Sequence, residues 1–203
     1  MQLGLFLLEG VLLPTEQTPL HVFEARYKEL IGECLERELE FGWVLSDEEG
    51  GIRDVGCRAT VLGVLEELDD GRMLIAVEGG NPFRIERLTS GRLFATAEVA
   101  DVEDDGVLGQ EGEIEHALSL FRQIVELSDL EGEIPDPGSS VLSYELAARV
   151  EFERAAKQEL LESRSERERL TAVTKLLDVT AVQLAREKEA SDRAPQNGKV
   201  SPR

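Results

Sequence analysis

The residues able to do chemistry are few and scattered. Two histidines, His21 and His116, two cysteines, Cys34 and Cys57, and one tryptophan, Trp43, stand among 42 acids and 22 bases. A zinc site draws paired ligands from one loop or helix turn. The sequence has no His-Glu-x-x-His and no Cys-x-x-Cys, so neither a metal nor a cofactor is expected. No Gly-x-x-x-x-Gly-Lys-Ser/Thr loop is present to cradle a phosphate. Gly50-Gly51 and Gly79-Gly80 lack a following lysine and helix, and both read as turns. There is no Gly-x-Ser-x-Gly elbow. Carboxylate pairs carry no signal in a chain so rich in acids. The expectation is a chain without catalytic residues, not an enzyme.

Binding is the chemistry that remains. Pro19-Leu-His-Val-Phe-Glu-Ala-Arg-Tyr27 is the densest run of interesting side chains. Its structural reading puts Phe23 and Tyr27 one turn apart on a buried face, pairs Glu24 with Lys28 at i, i+4, and hydrogen-bonds His21 to backbone at the strand–helix corner. Its functional reading makes His21, Glu24 and Arg26 part of a partner-binding surface. Trp43 reads as a core anchor in a strand or, if its face is exposed, as a hot spot for an apolar peptide. Arg164, Arg167 and Arg169 form the one dense basic group, read as a solvated face. Cys34 falls on an apolar helical stripe and reads as core, because buried thiols are inert.

These residues must be held by a folded scaffold. The chain has 203 residues, 41% of them hydrophobic, enough for a real core. Its formal net charge of -20 argues against general nucleic-acid binding, since a polyanion gains nothing from counterion release. It equally argues against anionic lipid. Residues 1–104 hold 22 acids and 9 bases, residues 105–203 hold 20 and 13. The run Asp101, Glu103, Asp104, Asp105, Glu111, Glu113, Glu115 contains no base and reads as a solvated connector. Two cysteines form no disulfide framework, and a cytoplasmic setting is expected. No basic n-region precedes the first apolar run, and no apolar run approaches the roughly 18–20 residues of a membrane span.

The first half reads as strands: Leu3–Leu8 continuing through Val11–Leu13, then Pro19–Phe23, Phe41–Leu45, Val55–Leu65, Arg72–Glu78, Pro82–Leu88 and Arg92–Val102. A polar turn follows at Ser46–Gly51, and Asp70-Gly71 predicts a two-residue type I′ hairpin. Apolar residues at 23, 27, 30, 31, 34 and 35 give one amphipathic helix. The second half reads as helices: Glu113–Leu130, a loop over Glu131–Ser140, a helical stripe over Leu142–Phe152, and a long helix through Leu170, Val173, Leu177 and Leu184 opened by the capping box Ser165-Glu-Arg-Glu168. The expected division is 1–104 β-rich, 105–190 helical and 191–203 a disordered tail.

The ordered series of motifs resembles the amino-terminal (LON) domain family of Lon proteases. Leu3-Gly-Leu-Phe-Leu-Leu8, Gly10-Val-Leu-Leu-Pro14 and Pro19–Tyr27 match its opening. Phe41-Gly-Trp-Val-Leu45, Val55-Gly-Cys57, Asp70-Gly-Arg72, Val77-Glu-Gly79 and Phe83-Arg-Ile85 follow in order. Ser143–Ala147, Lys157–Glu162 and Glu168–Leu170 resemble its helical segment. Gly4, Leu7 and Ala25 stand where the family often has proline, and Leu13-Pro-Thr15 replaces Phe-Pro-Gly. The resemblance implies an α+β fold: a PUA-like β pseudo-barrel with one inserted helix, followed by a C-terminal α-helical bundle. It also implies a non-catalytic module that recognises unfolded or extended protein segments. Neither the family's ATPase nor its peptidase fits in the residues that remain. RNA binding by analogy with PUA domains, opposed by the charge, and a hydrolase without a recognisable motif are the alternatives.

Overall fold

The computed structural model describes residues 1–47, 51–128 and 133–193, with side chains as far as Ser191. Six strands come first, with one helix among them: β1 Gln2–Leu8, β2 Gln17–Val22, α1 Ala25–Arg37, β3 Phe41–Leu45, β4 Val55–Glu67, β5 Met73–Thr89 and β6 Ala95–Asp101. Four helices follow: α2 Glu111–Leu127, α3 Leu142–Ala147, α4 Arg154–Glu162 and α5 Glu166–Arg193. The sheet order is β2-β5-β4-β3-β1-β6, and β5 also pairs with β6, closing five strands into a barrel with β2 added outside. β1 and β3 run parallel. A parallel pair needs a long crossover, here supplied by β2 and α1.

Alternation along the strands separates two apolar clusters. Leu3 and Leu5 join Val44, Phe83, Ala97 and Val99 in one. Phe6, Phe41 and Trp43 point the other way, into a larger cluster with α1 and the carboxy-terminal helices. That cluster runs unbroken from Phe6 to Ala181, so strands and helices share one core. In α5 the buried residues Leu170, Val173, Leu177 and Ala181 recur at helical spacing and face α2 and α3.

Several sequence expectations are corrected. Val11–Leu13 is buried but is not a strand. Gly79-Gly80 is no turn: β5 is one strand through both glycines. The reason is a backbone crossing. Thr15 donates to the Gly79 carbonyl at 2.8 Å and Gly79 donates to that of Glu16 at 2.9 Å. A Cβ on Gly79 would stand 2.0 Å from the Leu13 carbonyl oxygen. The Asp70-Gly71 turn is not type I′, because only Gly71 has positive φ (74°). Gly71 donates to the Leu68 carbonyl at 2.8 Å and Leu68 to that of Arg72 at 2.9 Å. The hairpin therefore has a three-residue loop, Asp69-Asp70-Gly71, closed by a glycine in the left-handed region.

Phe23 is not on the buried helical face; it is 63% exposed. The helix begins only at Ala25, and its buried stripe is Tyr27, Leu30, Ile31 and Cys34. The stripe expected over 142–152 yields a helix only as far as Ala147. Ser165 does not enter the expected box: its amide donates to Ser163 Oγ at 3.5 Å. A reciprocal bond instead opens α2, where Gln110 N donates to Glu113 Oε2 at 2.8 Å. α5 runs on through Arg193, into the expected tail. Gly50, residues 48–49 of the polar turn, Leu130, the first two residues of the 131–140 loop and the tail from 194 onward lie outside the described residues.

The acidic connector is not solvated slack. Asp104 accepts from Arg169 Nη1 at 2.7 Å and pairs again with Nη2. Arg169 is fully buried; it also donates to Ser163 O at 3.0 Å and Ser143 Oγ at 3.2 Å, and pairs with Glu166 at 2.9 Å. Its guanidinium lies 4.2 Å over the Tyr144 ring. Arg167 forks onto Glu113, Arg164 donates to Glu103 O, and Arg58 pairs with Asp101. The basic group read as a solvated face thus clamps connector to helices.

Candidate functional site

Strand alternation places the side chains of interest. β2 pairs with the first half of β5, in register Pro19 to Ala76, Leu20 to Ile75 and His21 to Leu74. β4 flanks β5 on the other side, with Glu66 opposite Leu74 and Gly63 opposite Ala76. Successive residues point to opposite faces. Leu20, Val22, Ile75 and Val77 are therefore buried towards α1, while His21, Leu74 and Glu66 form a row on the outer face. Pro19, Ala76 and Gly63 form the next row on that face, and all three are small.

A groove of about 370 Å³ opens there, with His21, Phe23, Glu66, Leu68, Met73 and Leu74 among the residues lining it. Phe23 continues the outward parity of residues 19 and 21 and remains exposed. Leu68, 42% exposed, forms another part of the wall. A larger hollow of about 580 Å³ lies between β1, the end of α1 and Arg92. No large aromatic is open in it: Phe94 is buried and carries the Arg92 guanidinium at 4.6 Å, which in turn is held by Glu29 and Glu33. The smaller groove is the better candidate because only there does an aromatic side chain stand free.

Of the residues singled out in the sequence, His21 lies in this groove. Glu24 and Arg26 follow it in the chain but are paired with each other at 2.9 Å, and Arg26 lies 4.4 Å over the Tyr27 ring. Glu24 does not pair with Lys28, whose ammonium donates to the Asp70 carbonyl at 2.8 Å. Trp43 stands apart, 9% exposed, its indole N–H donating to the Gly10 carbonyl at 2.7 Å. It holds the 9–13 segment against β3. Phe23, Glu66, Leu68 and Leu74 were missed. The signal for Phe23 was present: extending the strand's two-residue alternation one step past Val22 aims it outward with His21.

Both cysteines are buried elsewhere. Burial pushes the Cys34 thiol up to about 11 and Cys57 higher still, so neither supplies thiolate at neutral pH. Burial likewise raises the Glu166 carboxyl, against the opposing pull of Ser143 and Arg169. Among the described residues no group of three or more His, Cys, Asp or Glu side chains could hold a metal ion. No helix among them is long and apolar enough to cross a membrane.

Comparison with known proteins agrees with the geometry. The family described as the ATP-dependent protease La (LON) substrate-binding domain matches residues 2–179. A Lon N-terminal domain protein from Xanthomonas campestris is similar in structure, with a TM-score of 0.68 at 23% identity over 84% of this chain and 95% of that one. The N-terminal domain of the Mycobacterium avium complex Lon protease is similar too, with a TM-score of 0.66 at 15% identity over 88% and 98%. At such identities the two structures establish the fold: a barrel-like sheet followed by helices.

Proposed function

Because the chain belongs to the family of Lon substrate-binding domains, we propose that it is a non-catalytic recognition module for unfolded or extended protein segments, working in the cytoplasm. The observation that carries this reading is Phe23. A large aromatic exposed beside His21, Leu68 and Leu74 in an open groove gives an apolar side chain from a partner a place to be desolvated. Burial of such a side chain is worth about 1.5–3 kcal/mol, so a single anchor supports weak, reversible capture. The neighbouring pair Glu24–Arg26 and the ring of His21 provide polar contacts at the rim. The two buried thiols suit a reducing compartment.

Fluorescence anisotropy of a labelled, reduced and alkylated polypeptide tests the reading. The expected result is saturable binding that the native form of the same polypeptide does not compete, weakened by Phe23→Ser. Trp43 is a poor reporter because its ring is already buried. No saturable response at roughly millimolar protein, the weakest affinity of interest, counts against the proposal.

A further inference from the structure

Resting on the recognition reading above, we propose that the groove beside β2 selects segments in which a large apolar side chain is flanked by lysine or arginine. The apolar part follows from the shape. Phe23 and Leu68 stand exposed in the groove wall, with Met73 and Leu74 beside them.

The charge preference follows from which ions around the groove are already matched. Arg72, which itself lines the groove, is paired with Asp70 at 2.7 Å and Arg26 with Glu24, while Lys28 donates to the Asp70 carbonyl, which anchors its charge without cancelling it. Glu66 lines the groove, and Glu67 and Asp69 follow it along the hairpin. Among the described residues no cation stands within ion-pair distance of these three. Five acids, Glu24, Glu66, Glu67, Asp69 and Asp70, stand against three bases, Arg26, Lys28 and Arg72, so the net field around the groove is negative. An incoming cation meets no intramolecular competitor, and an incoming acid meets repulsion. The chain's overall charge of -20 adds to this at long range.

Recognition runs through side chains rather than strand addition. β2 is an edge strand but contains Pro19, which has no amide to donate. The second half of β4 is irregular at Leu62 and Leu65, where the register shifts, and Leu65 is 59% exposed. Bulged and proline-bearing edges are poor templates for another strand.

The test uses short peptides with the same pair of phenylalanines in a Ser/Gly background, flanked by Lys, by Ser or by Glu, titrated into the full chain by anisotropy. The Lys peptide is expected to bind roughly ten-fold tighter than the Glu peptide at low salt, with the gap closing as salt rises. E66Q/E67Q is expected to remove most of the gap between the Lys and Glu peptides, leaving the salt-screened remainder due to Asp69 and the overall charge, and Phe23→Ser to weaken all three. Equal binding of the three peptides overturns the charge preference and leaves recognition standing. Binding of none overturns both. A gap that keeps its full size in E66Q/E67Q places the charge selection on another surface and overturns the assignment to this groove.

Discussion

Two stretches look alike in sequence and behave oppositely in the fold. The connector that includes Asp101, Glu103, Asp104 and Asp105 and the hairpin that includes Glu66, Glu67, Asp69 and Asp70 are both short and strongly acidic. In the connector, Asp101 and Asp104 and the Glu103 carbonyl meet arginines, and Arg169 reaches Asp104 from 65 residues away. In the hairpin only Asp70 has a charged partner, its near neighbour Arg72. An acidic run is thus structural where distant arginines fold onto it and available to a partner where they do not. Local charge pattern cannot separate the two cases, since the deciding residues lie elsewhere in the chain.

The contrast is broken most severely at Arg169. Arg169→Met leaves Glu166 buried without its cation, and the expected loss is about 3–5 kcal/mol of stability, read from the urea midpoint. A loss under about 1 kcal/mol would mean that the clamp is solvated after all. The other tied segment is the 9–16 loop, where Thr15 sits at φ 67°, the left-handed region that a β-branched residue resists. Thr15→Gly, which removes the side chain that resists this conformation, is expected to gain about 1 kcal/mol by the same measurement. A loss of stability would show that the threonine side chain contributes something that outweighs its strain.

Smaller effects sharpen the comparison at its exposed margins. The hydrogen bonds from Arg167 and then from the Gln110 backbone hold Glu113 below the ordinary glutamate value. Its contribution to stability is therefore present above that ordinary value and lost as pH falls through the lowered one. Arg167→Ala should flatten this part of the acid limb of a stability–pH curve, with a smaller effect at neutral pH than Arg169→Met and one that shrinks in salt. An unchanged acid limb would remove Arg167 as the cause. Smallest of all, E66Q/E67Q should leave the urea midpoint where it is, because no described cation loses a partner. A clear drop would reveal that the hairpin acids are tied like those of the connector.

Much of the scaffold was legible before the structure. The strands at 2–8, 17–22 and 41–45, the helix over 25–37 and the long last helix all follow from apolar period, and the ordered motifs imply the family's barrel. What was not legible depends on partners far away in sequence. Gly79-Gly80 carries the signature of a turn, and only the passage of Leu13–Glu16 across it explains two glycines inside a strand. Asp70-Gly71 pointed to the right place and the wrong loop length, since Asp69 joins the turn. The candidate groove draws on residues from several elements. His21 lies in the groove, but Phe23 was assigned to the helix period when it obeys the strand period. Trp43 resolves to its core reading through the Gly10 carbonyl. Glu66, Leu68 and Leu74 join the groove only by cross-strand register, which a single sequence does not fix.

The closure of the barrel has a kinetic consequence. The Met1 amino group donates to the Val99 carbonyl at 3.2 Å, across 98 residues, and Gln158 reaches the Val55 carbonyl across 103. Lys157 meets Glu16 across 141. As the chain emerges from a ribosome, the first strand can pair with β3 but lacks its second neighbour until β6 has been made, and the shared core waits longer still for the last helix. Contacts of such long sequence separation make folding slow, on the millisecond-to-second scale. Through that interval the apolar first strand keeps one edge unpaired and part of its apolar surface uncovered.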